Sequence, residues 1–91
     1  MLNILRFHKE RDDNRVYGSE AVEIETRGDS RKRIGVIKDI SYSGARIRIH
    51  DADSPARRIK LSSPSIGDRV GAKIRWRRGT EFGVRFDNPL Q

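Results

Sequence analysis

Two arginines, Arg11 and Arg15, stand four residues apart in the stretch RDDNR near the start of the sequence. On one turn of helix they would share a face, and on a loop both could fold onto one anion. Two guanidinium groups offer rigid pairs of N–H donors that suit phosphate oxygens, or the O6 and N7 acceptors of guanine. In an arginine-rich chain this spacing also arises by chance, so a second motif is needed to define a site.

The stretch DISYSG, residues 39–44, places an acid, two serines and a glycine at the junction of two apolar runs. The Asp39 carboxylate offers two acceptor oxygens, which match the adjacent N1–H and N2 donors of guanine and find no such pair on adenine. Ser41 could donate to a phosphate, and Gly44 could let the backbone approach a ligand closely. A purely structural interpretation stays open, in which Asp39 and Ser41 bond the backbone of their own turn.

The charge balance predicts an anionic partner. The 91 residues carry 20 Lys and Arg against 13 Asp and Glu, a formal net charge of +7. Nucleic acid, a nucleotide or a membrane surface would each fit this charge.

There is no cysteine, so we expect a reducing cytoplasm, no disulfide and no thiolate metal site. No run of residues has the length of a signal peptide or a membrane span.

The sequence shows no motif for catalysis or metal binding. The two histidines, His8 and His50, belong to different elements, and no metal-ligand spacing accompanies them. Neither a GxxxxGK[ST] loop nor a GxGxxG turn occurs, and nothing marks a nucleophile. We therefore expect a binding protein and not an enzyme, with no metal and no cofactor.

Period-two alternation of apolar and polar residues predicts short β-strands along most of the chain. The clearest runs are AVEIET, RIGVIKDI, ARIRIH, RVGAKIRW and FGVRF, and RIKL could add a short edge strand. RRGTE predicts a tight hairpin in which Gly79 takes a positive φ, and RGDSRKR predicts a longer polar connection. The opening LNILRFHKER could form one short helix. No long C-terminal helix is expected.

Five or six strands without intervening helices indicate a single all-β domain, an antiparallel barrel or sandwich. Trp76 falls on the apolar side of its strand, in step with Ala72 and Ile74, which favours a core position for it. Arg46 and Arg48 fall on the outward side of theirs.

Arg-x-x-x-Arg before the first strand, followed by Asp-x-Ser-x-x-Gly between the second and third, resembles the PilZ domain family. The resemblance extends from Arg11 to Phe86 and includes the closing GVRF. It implies a six-stranded antiparallel β-barrel that binds the bacterial second messenger cyclic di-GMP. We expect an N-terminal extension over residues 1–10, the barrel with its arginine-bearing loop over residues 11–87, and a tail over residues 88–91.

The resemblance also implies roles for the residues of both motifs. Arg11 and Arg15 would clasp phosphates and the Hoogsteen edges of guanine. Asp39 and Ser41 would contact guanine and phosphate from the barrel, and Gly44 would give close backbone access.

Residues outside the two motifs bear on the same ligand. Arg46, two residues after the motif glycine, and Trp76, followed by two arginines, could make secondary contacts. Glu10 stands where many members carry a further arginine, which favours one bound ligand molecule over a self-stacked pair. In this family the arginine-bearing segment orders around the ligand, and residues 2–7 could move with it and present a surface to a downstream protein.

Two other interpretations stay open: a PilZ-like adaptor that binds no ligand, and a small basic β-barrel that binds RNA or DNA. The nucleic-acid interpretation needs exposed aromatic side chains on which bases can stack. Most of the few aromatic residues here fall on the apolar sides of strands, which makes nucleic acid the less favoured partner.

Overall fold

The fold consists of β-strands joined by turns, and no helix occurs among the described residues. The computed structural model describes residues 7–9, 16–26, 28–50 and 57–90. Its strands are β1 (Phe7–Lys9), β2 (Val16–Thr26), β3 (Asp29–Ile40), β4 (Gly44–Ile49), β5 (Arg58–Ser63), β6 (Gly67–Arg78) and β7 (Glu81–Phe86). The all-β class predicted from the alternation is confirmed.

Six of the strands close into an antiparallel barrel. Their order is β2-β3-β4-β7-β6-β5, and β5 pairs back with β2 to complete the circuit. The short β1 pairs with the beginning of β2. This arrangement confirms the expected six-stranded antiparallel barrel. Gly44 at the start of β4 is the register partner of Arg85 near the end of β7, so the DISYSG turn and the end of β7 lie at the same end of the barrel.

Alternating side chains point inward and fill the barrel. The buried apolar set is Val22, Ile24, Ile37, Ile40, Ala45, Ile47, Ile49, Ile59, Leu61, Ile66, Ala72, Ile74, Phe82, Val84 and Phe86. Full burial of one such aliphatic or aromatic side chain contributes roughly 1.5–3 kcal/mol. Because nearly every inward position is used, this thin core is enough for a chain in which 36% of residues are charged.

The inward row of β2 ends in a buried carboxylate. Glu20 is 2% exposed and lies opposite Ile37, one position beyond Val22 in the same row. Its Oε2 accepts a hydrogen bond from the backbone N–H of Ser65, and its Oε1 accepts one from the Ser65 hydroxyl, both at 2.9 Å. A buried carboxylate is costly unless it is hydrogen-bonded. This pair therefore ties β2 to the turn between β5 and β6.

One of the described connections between strands matches the prediction and another is tighter than the sequence suggested. The β6–β7 hairpin forms as predicted, with a φ of 59° at Gly79. Between β2 and β3 the connection is shorter than expected, because β3 already begins at Asp29 and Gly28 turns the chain with a φ of 81°. The segment RIKL, expected at an edge, pairs with β6 on one side and with β2 on the other, since it closes the barrel.

The helix expected over LNILRFHKER is wrong where the structure describes that stretch. Residues 7–9 form β1, in which Phe7, His8 and Lys9 pair with the first residues of β2. An isolated helix of this length is marginal, whereas an adjacent strand offers hydrogen-bond partners to an extended backbone. The other residues of the stretch lie outside the described residues.

Trp76 does not belong to the core, contrary to the prediction from the alternation of β6. Its exposed fraction is 44%. A register shift separates the pair Ile74–Val84 from the pair Trp76–Gly83. This bulge inserts an extra residue into β6, which takes Trp76 out of the inward row.

The chain after β7 returns to the barrel. Leu90 donates its N–H to the carbonyl of Tyr42 at 2.7 Å, and its side chain packs against the core. Residues expected to form a tail therefore contact the end of the barrel at which the DISYSG turn lies. The described part of the chain contains no helix with the length and apolar character needed to cross a membrane.

Candidate functional site

Ser41 holds the turn between β3 and β4. Its N–H donates to the carbonyl of Gly44 at 2.8 Å. Its hydroxyl lies 3.3 Å from both the N–H and the carbonyl oxygen of Gly44, and 3.4 Å from the Ser43 hydroxyl. The side chain is thus engaged in local turn bonds of the kind that the structural interpretation of the motif described.

Gly44 lets β4 and β7 approach closely. A Cβ at this position would overlap the carbonyl oxygen of Val84 in β7. A larger residue would push the two strands apart, so glycine is required here for the sheet itself. The close approach seen at Gly44 is to the backbone of β7, and its expected access to a ligand stays a prediction.

Asp39 is buried and paired with an arginine. Its carboxylate is 5% exposed, and Oδ2 accepts a hydrogen bond from Nε of Arg46 at 2.7 Å. The two residues are register partners across β3 and β4, beside a bulge between Ile37 and Asp39. The bulge takes Asp39 out of the inward row, so it meets the outward Arg46. The hydrogen bond to Asp39 raises the pKa of Arg46 above its ordinary value.

Glu81, at the start of β7, links two outward arginines of β4. Its Oε1 accepts from Nη1 of Arg46 at 3.1 Å, and its Oε2 accepts from Nη2 of Arg48 at 2.8 Å. Hydrogen bonds from Arg48 first, and then from Arg46, lower the pKa of the Glu81 carboxyl below its ordinary value. Asp39, Arg46, Glu81 and Arg48 alternate in charge along this surface, and we call them the ionic chain.

A pocket of about 300 Å³ lies beside the Ser41 turn. Its walls include Ser41 and Gly44 on one side and, from β6 and β7, Arg75, Trp76 and Arg85. The two arginines are exposed. Cationic donors next to a flat aromatic face suit a ligand that is both anionic and aromatic, such as a nucleotide.

The structure brings most of the described candidate residues to this pocket. Ser41, Gly44, Arg46 and Trp76 all line it. Asp39 does not line it, and its connection to the pocket runs through the hydrogen bond from Arg46. Arg46 is therefore the member of the ionic chain that borders the pocket.

Arg11, Arg15 and Glu10 lie outside the described residues. The strands on either side of this segment are described, however, and they define where it begins and ends. Lys9 at the end of β1 pairs with Val16 at the start of β2, and Val16 in turn pairs with Ile40, the second residue of DISYSG. The connection that carries both arginines therefore ends beside the second motif and begins one strand further out.

The sequence did not single out Glu81, Arg75 or Arg85. Alternation in FGVRF does place Arg85 on the outward side, so its exposure could be predicted. That Arg75 shares a pocket with it depends on the β6 bulge, and that Glu81 meets Arg46 depends on the pairing of β4 with β7. Neither relationship has a local signal in the chain.

A larger groove of about 580 Å³ lies between β2, β5 and β6, and no residue of the DISYSG motif lines it. Both arginines that line it face carboxylates. Nε of Arg69 lies 3.4 Å from Oε2 of Glu25, and Nη1 of Arg58 lies 3.5 Å from Oδ1 of Asp87. Such pairing reduces the positive charge available to a ligand. Size alone does not make this groove the better candidate, because the smaller pocket adjoins the motif residues.

Comparison with known proteins agrees with the fold. A family model described as the PilZ domain matches residues 9–91, a range that contains both motifs and every strand of the barrel. Searches of curated proteins and of solved structures gave no match. PilZ domains are generally modules that bind cyclic di-GMP, and they are not typically enzymes. The barrel, the order of its motifs and the family match lead to one conclusion: this chain belongs to the PilZ domain family.

Proposed function

We propose that this protein is a receptor for cyclic di-GMP that passes the signal to another protein in the bacterial cytoplasm. The observation that carries the proposal is the pocket beside the Ser41 turn, which Arg46, Arg75 and Arg85 line together with Trp76. The ligand contains two phosphates and two guanine bases. Guanidinium donors can bind the phosphates, and an exposed indole can stack on a base. The pocket therefore offers partners for both the phosphates and the bases of the ligand.

Trp76 is the stacking surface in this proposal. Its indole lies against the backbone of Gly83, so one face is supported while 44% of the residue stays exposed. Stacking of a base on an aromatic side chain contributes about 1–3 kcal/mol. Arg46, Arg75 and Arg85 then supply donors to the phosphates.

Asp39 selects guanine in this proposal. A carboxylate can accept several hydrogen bonds at once, so the bond from Arg46 at Oδ2 is compatible with further bonds from guanine N1–H and N2. Adenine lacks that pair of donors, and a site built around the carboxylate therefore discriminates against it. Ser41 and Gly44 hold the turn that presents Asp39.

Arg11 and Arg15 complete the site from the connection between β1 and β2. Val16, at one end of that connection, pairs with Ile40, which directly precedes the pocket residue Ser41, and in this proposal both arginine side chains reach the ligand from there. Ordering a segment costs about 1–2 kcal/mol per residue, and charge-assisted bonds to the phosphates offset this cost. In this proposal the ordering of the arginine-bearing connection around the ligand is the signal that the downstream protein reads.

A second candidate function is binding of single-stranded nucleic acid. The specific observation in its favour is the exposed Trp76 beside Arg75, Arg77 and Arg78, because an aromatic platform among cations is how bases and backbone are held together. Its affinity would fall steeply with salt, in proportion to the number of phosphates contacted.

Calorimetric titration at near-physiological salt tests the proposal. Cyclic di-GMP is the ligand, cyclic di-AMP is the control for the base, and a single-stranded oligonucleotide is the control for charge. We expect saturable binding of cyclic di-GMP alone, with one ligand molecule per protein if Glu10 disfavours a stacked pair. Hydrogen exchange of residues 2–15 should slow when the ligand is present.

Each other outcome identifies an alternative. No heat with either dinucleotide contradicts the receptor function and leaves a PilZ adaptor that acts without ligand. Binding of the oligonucleotide with a strong salt dependence favours the nucleic-acid function. Unchanged hydrogen exchange at residues 2–15 in a saturated complex removes the proposed signal even if the ligand binds.

A further inference from the structure

We propose that Glu81 is a positioning residue for the ligand site, and that it acts by fixing the guanidinium group of Arg46. Glu81 does not line the pocket, whereas Arg46 does. This inference rests on the proposed function, since the ligand whose binding it affects is cyclic di-GMP. It assigns a role to a residue that belongs to neither motif.

The guanidinium group of Arg46 is hydrogen-bonded to two carboxylates, one on Asp39 and one on Glu81. Arg46 donates from Nε to Asp39 at 2.7 Å and from Nη1 to Glu81 at 3.1 Å. Asp39 lies on β3, Arg46 on β4 and Glu81 on β7, so the group is held across three adjacent strands. Two bonds at different nitrogens fix the plane of the guanidinium group, which a single bond would leave able to rotate.

Glu81 is itself fixed by a second arginine. Its other oxygen accepts from Arg48 at 2.8 Å, and its side chain is 20% exposed. A carboxylate held at both oxygens cannot swing away from Arg46 without losing a charge-assisted bond. Arg46, with 34% of its side chain exposed, is therefore presented to the pocket in one orientation. Arginine side chains lose considerable rotamer freedom when they bind a ligand, so prior fixation favours affinity.

The direction in which the affinity changes distinguishes a positioning role of Glu81 from a purely electrostatic one. Glu81 is an anion close to a pocket proposed to take a doubly charged anion. If it acted only through its charge, its neutralisation would strengthen binding, because it would remove a repulsion. If it positions Arg46, its neutralisation weakens binding despite that gain. The two roles therefore predict opposite changes in the dissociation constant.

The test compares Glu81→Gln with Glu23→Gln, which removes the same charge from the outer face of β2, away from the pocket. Affinity for cyclic di-GMP is measured by calorimetry at two salt concentrations, and the folded fraction of each variant is checked by thermal unfolding. We expect Glu81→Gln to weaken binding about 2- to 5-fold, the scale for a partly exposed ion pair. Glu23→Gln should leave affinity unchanged or slightly tighter.

A double-variant cycle shows whether the effect passes through Arg46. In an Arg46→Gln background, Glu81→Gln should no longer weaken binding, since the group that it positions is absent. Equal losses in both backgrounds would overturn the inference. So would unchanged or tighter binding by Glu81→Gln in the otherwise unaltered protein.

A readout without ligand separates this inference from the proposed function. The Nε–H proton of Arg46 is bonded to Asp39 and should give a slowly exchanging NMR signal, which broadens or exchanges faster in Glu81→Gln. If the protein binds no cyclic di-GMP, the proposed function fails and this signal alone decides the inference. A signal unchanged in Glu81→Gln overturns it, and a lost signal supports the positioning role.

Discussion

The indole of Trp76 lies directly against the backbone of Gly83, its register partner on β7. A Cβ on Gly83 would overlap three atoms of the indole ring. The absence of a side chain at position 83 therefore makes room for the indole beside β7, while 44% of Trp76 stays exposed.

Replacement of Gly83 by alanine should displace the indole. Because the protein has one tryptophan, its fluorescence reports on this residue alone. We expect Gly83→Ala to increase quenching by acrylamide and to weaken cyclic di-GMP binding, while the barrel still unfolds cooperatively. Thr80→Ala, at an exposed position in the same hairpin, is the control. Identical quenching in the two variants would contradict the packing of Trp76 on Gly83.

Arg15→Ala should weaken binding of cyclic di-GMP. Loss of one hydrogen bond to a charged group costs about 1.5–3 kcal/mol, or roughly 10- to 150-fold in affinity. Arg57→Ala removes the same charge at an exposed site before β5, outside the pocket. If calorimetry gives the same affinity for both variants, Arg15 makes no contact beyond its contribution to net charge.

Asp39→Ala should reduce the preference for guanine over adenine. The variant loses the acceptor pair for guanine N1–H and N2, whereas adenine never used it. The ratio of affinities for cyclic di-GMP and cyclic di-AMP measures this change, with circular dichroism as a check on folding. An equal loss for both ligands would mean that Asp39 acts only by holding Arg46.

Glu20→Gln should destabilise the barrel. The carboxylate accepts two hydrogen bonds from Ser65 in a buried position, and an amide can accept only at its single oxygen. We expect a loss of about 1–3 kcal/mol in the free energy of unfolding, measured by urea denaturation. Glu23→Gln, on the outward side of the same strand, should cost much less. Equal stabilities would show that the Ser65 bonds contribute nothing net.

Acid should weaken the protein partly through Glu81. Hydrogen bonds from Arg48 and Arg46 lower the pKa of this carboxyl from its usual 4.5 in the folded state. A group with a depressed folded pKa contributes stability above its unfolded pKa, and that contribution is lost as the pH falls through the folded pKa. Urea unfolding of Glu81→Gln should therefore show a shallower loss of stability below about pH 4.5 than the unaltered protein. Parallel pH profiles would contradict the shift.

The sequence was a good guide wherever local alternation decides the structure. Ala72 and Ile74 lie inward, as their place on the apolar side of the strand predicts, and Gly79 lies in the predicted tight turn. The core position predicted for Trp76 was wrong because of the bulge in β6. The bulge depends on pairing with β7, and it reverses the inward and outward alternation of the residues before it. The prediction of β5 as an edge strand was wrong because β5 pairs with β2 as well as with β6. The alternation within a strand does not reveal that the barrel closes at this strand.

Part of the candidate site was equally inaccessible to sequence reasoning. The pairing of Asp39 with Arg46 follows from hairpin register and a bulge, and the contact of Arg46 with Glu81 follows from the non-local pairing of β4 with β7. The DISYSG motif identified the turn between β3 and β4 as part of the candidate site. Only the assembled sheet shows that Arg46 lines the pocket and that Asp39 is bonded to it.

The pairing of β5 with β2 has a consequence for how the chain folds. Most neighbouring strands in the barrel are joined by short turns and can pair early, but β2 and β5 are far apart in the sequence. Non-local pairings carry a large loop-closure entropy and slow the formation of β-proteins. Closure of this seam is therefore expected late in folding. Until it closes, the edges of β2 and β5 are open to pairing with another molecule, as are those of β4 and β7 before their own non-local pairing forms.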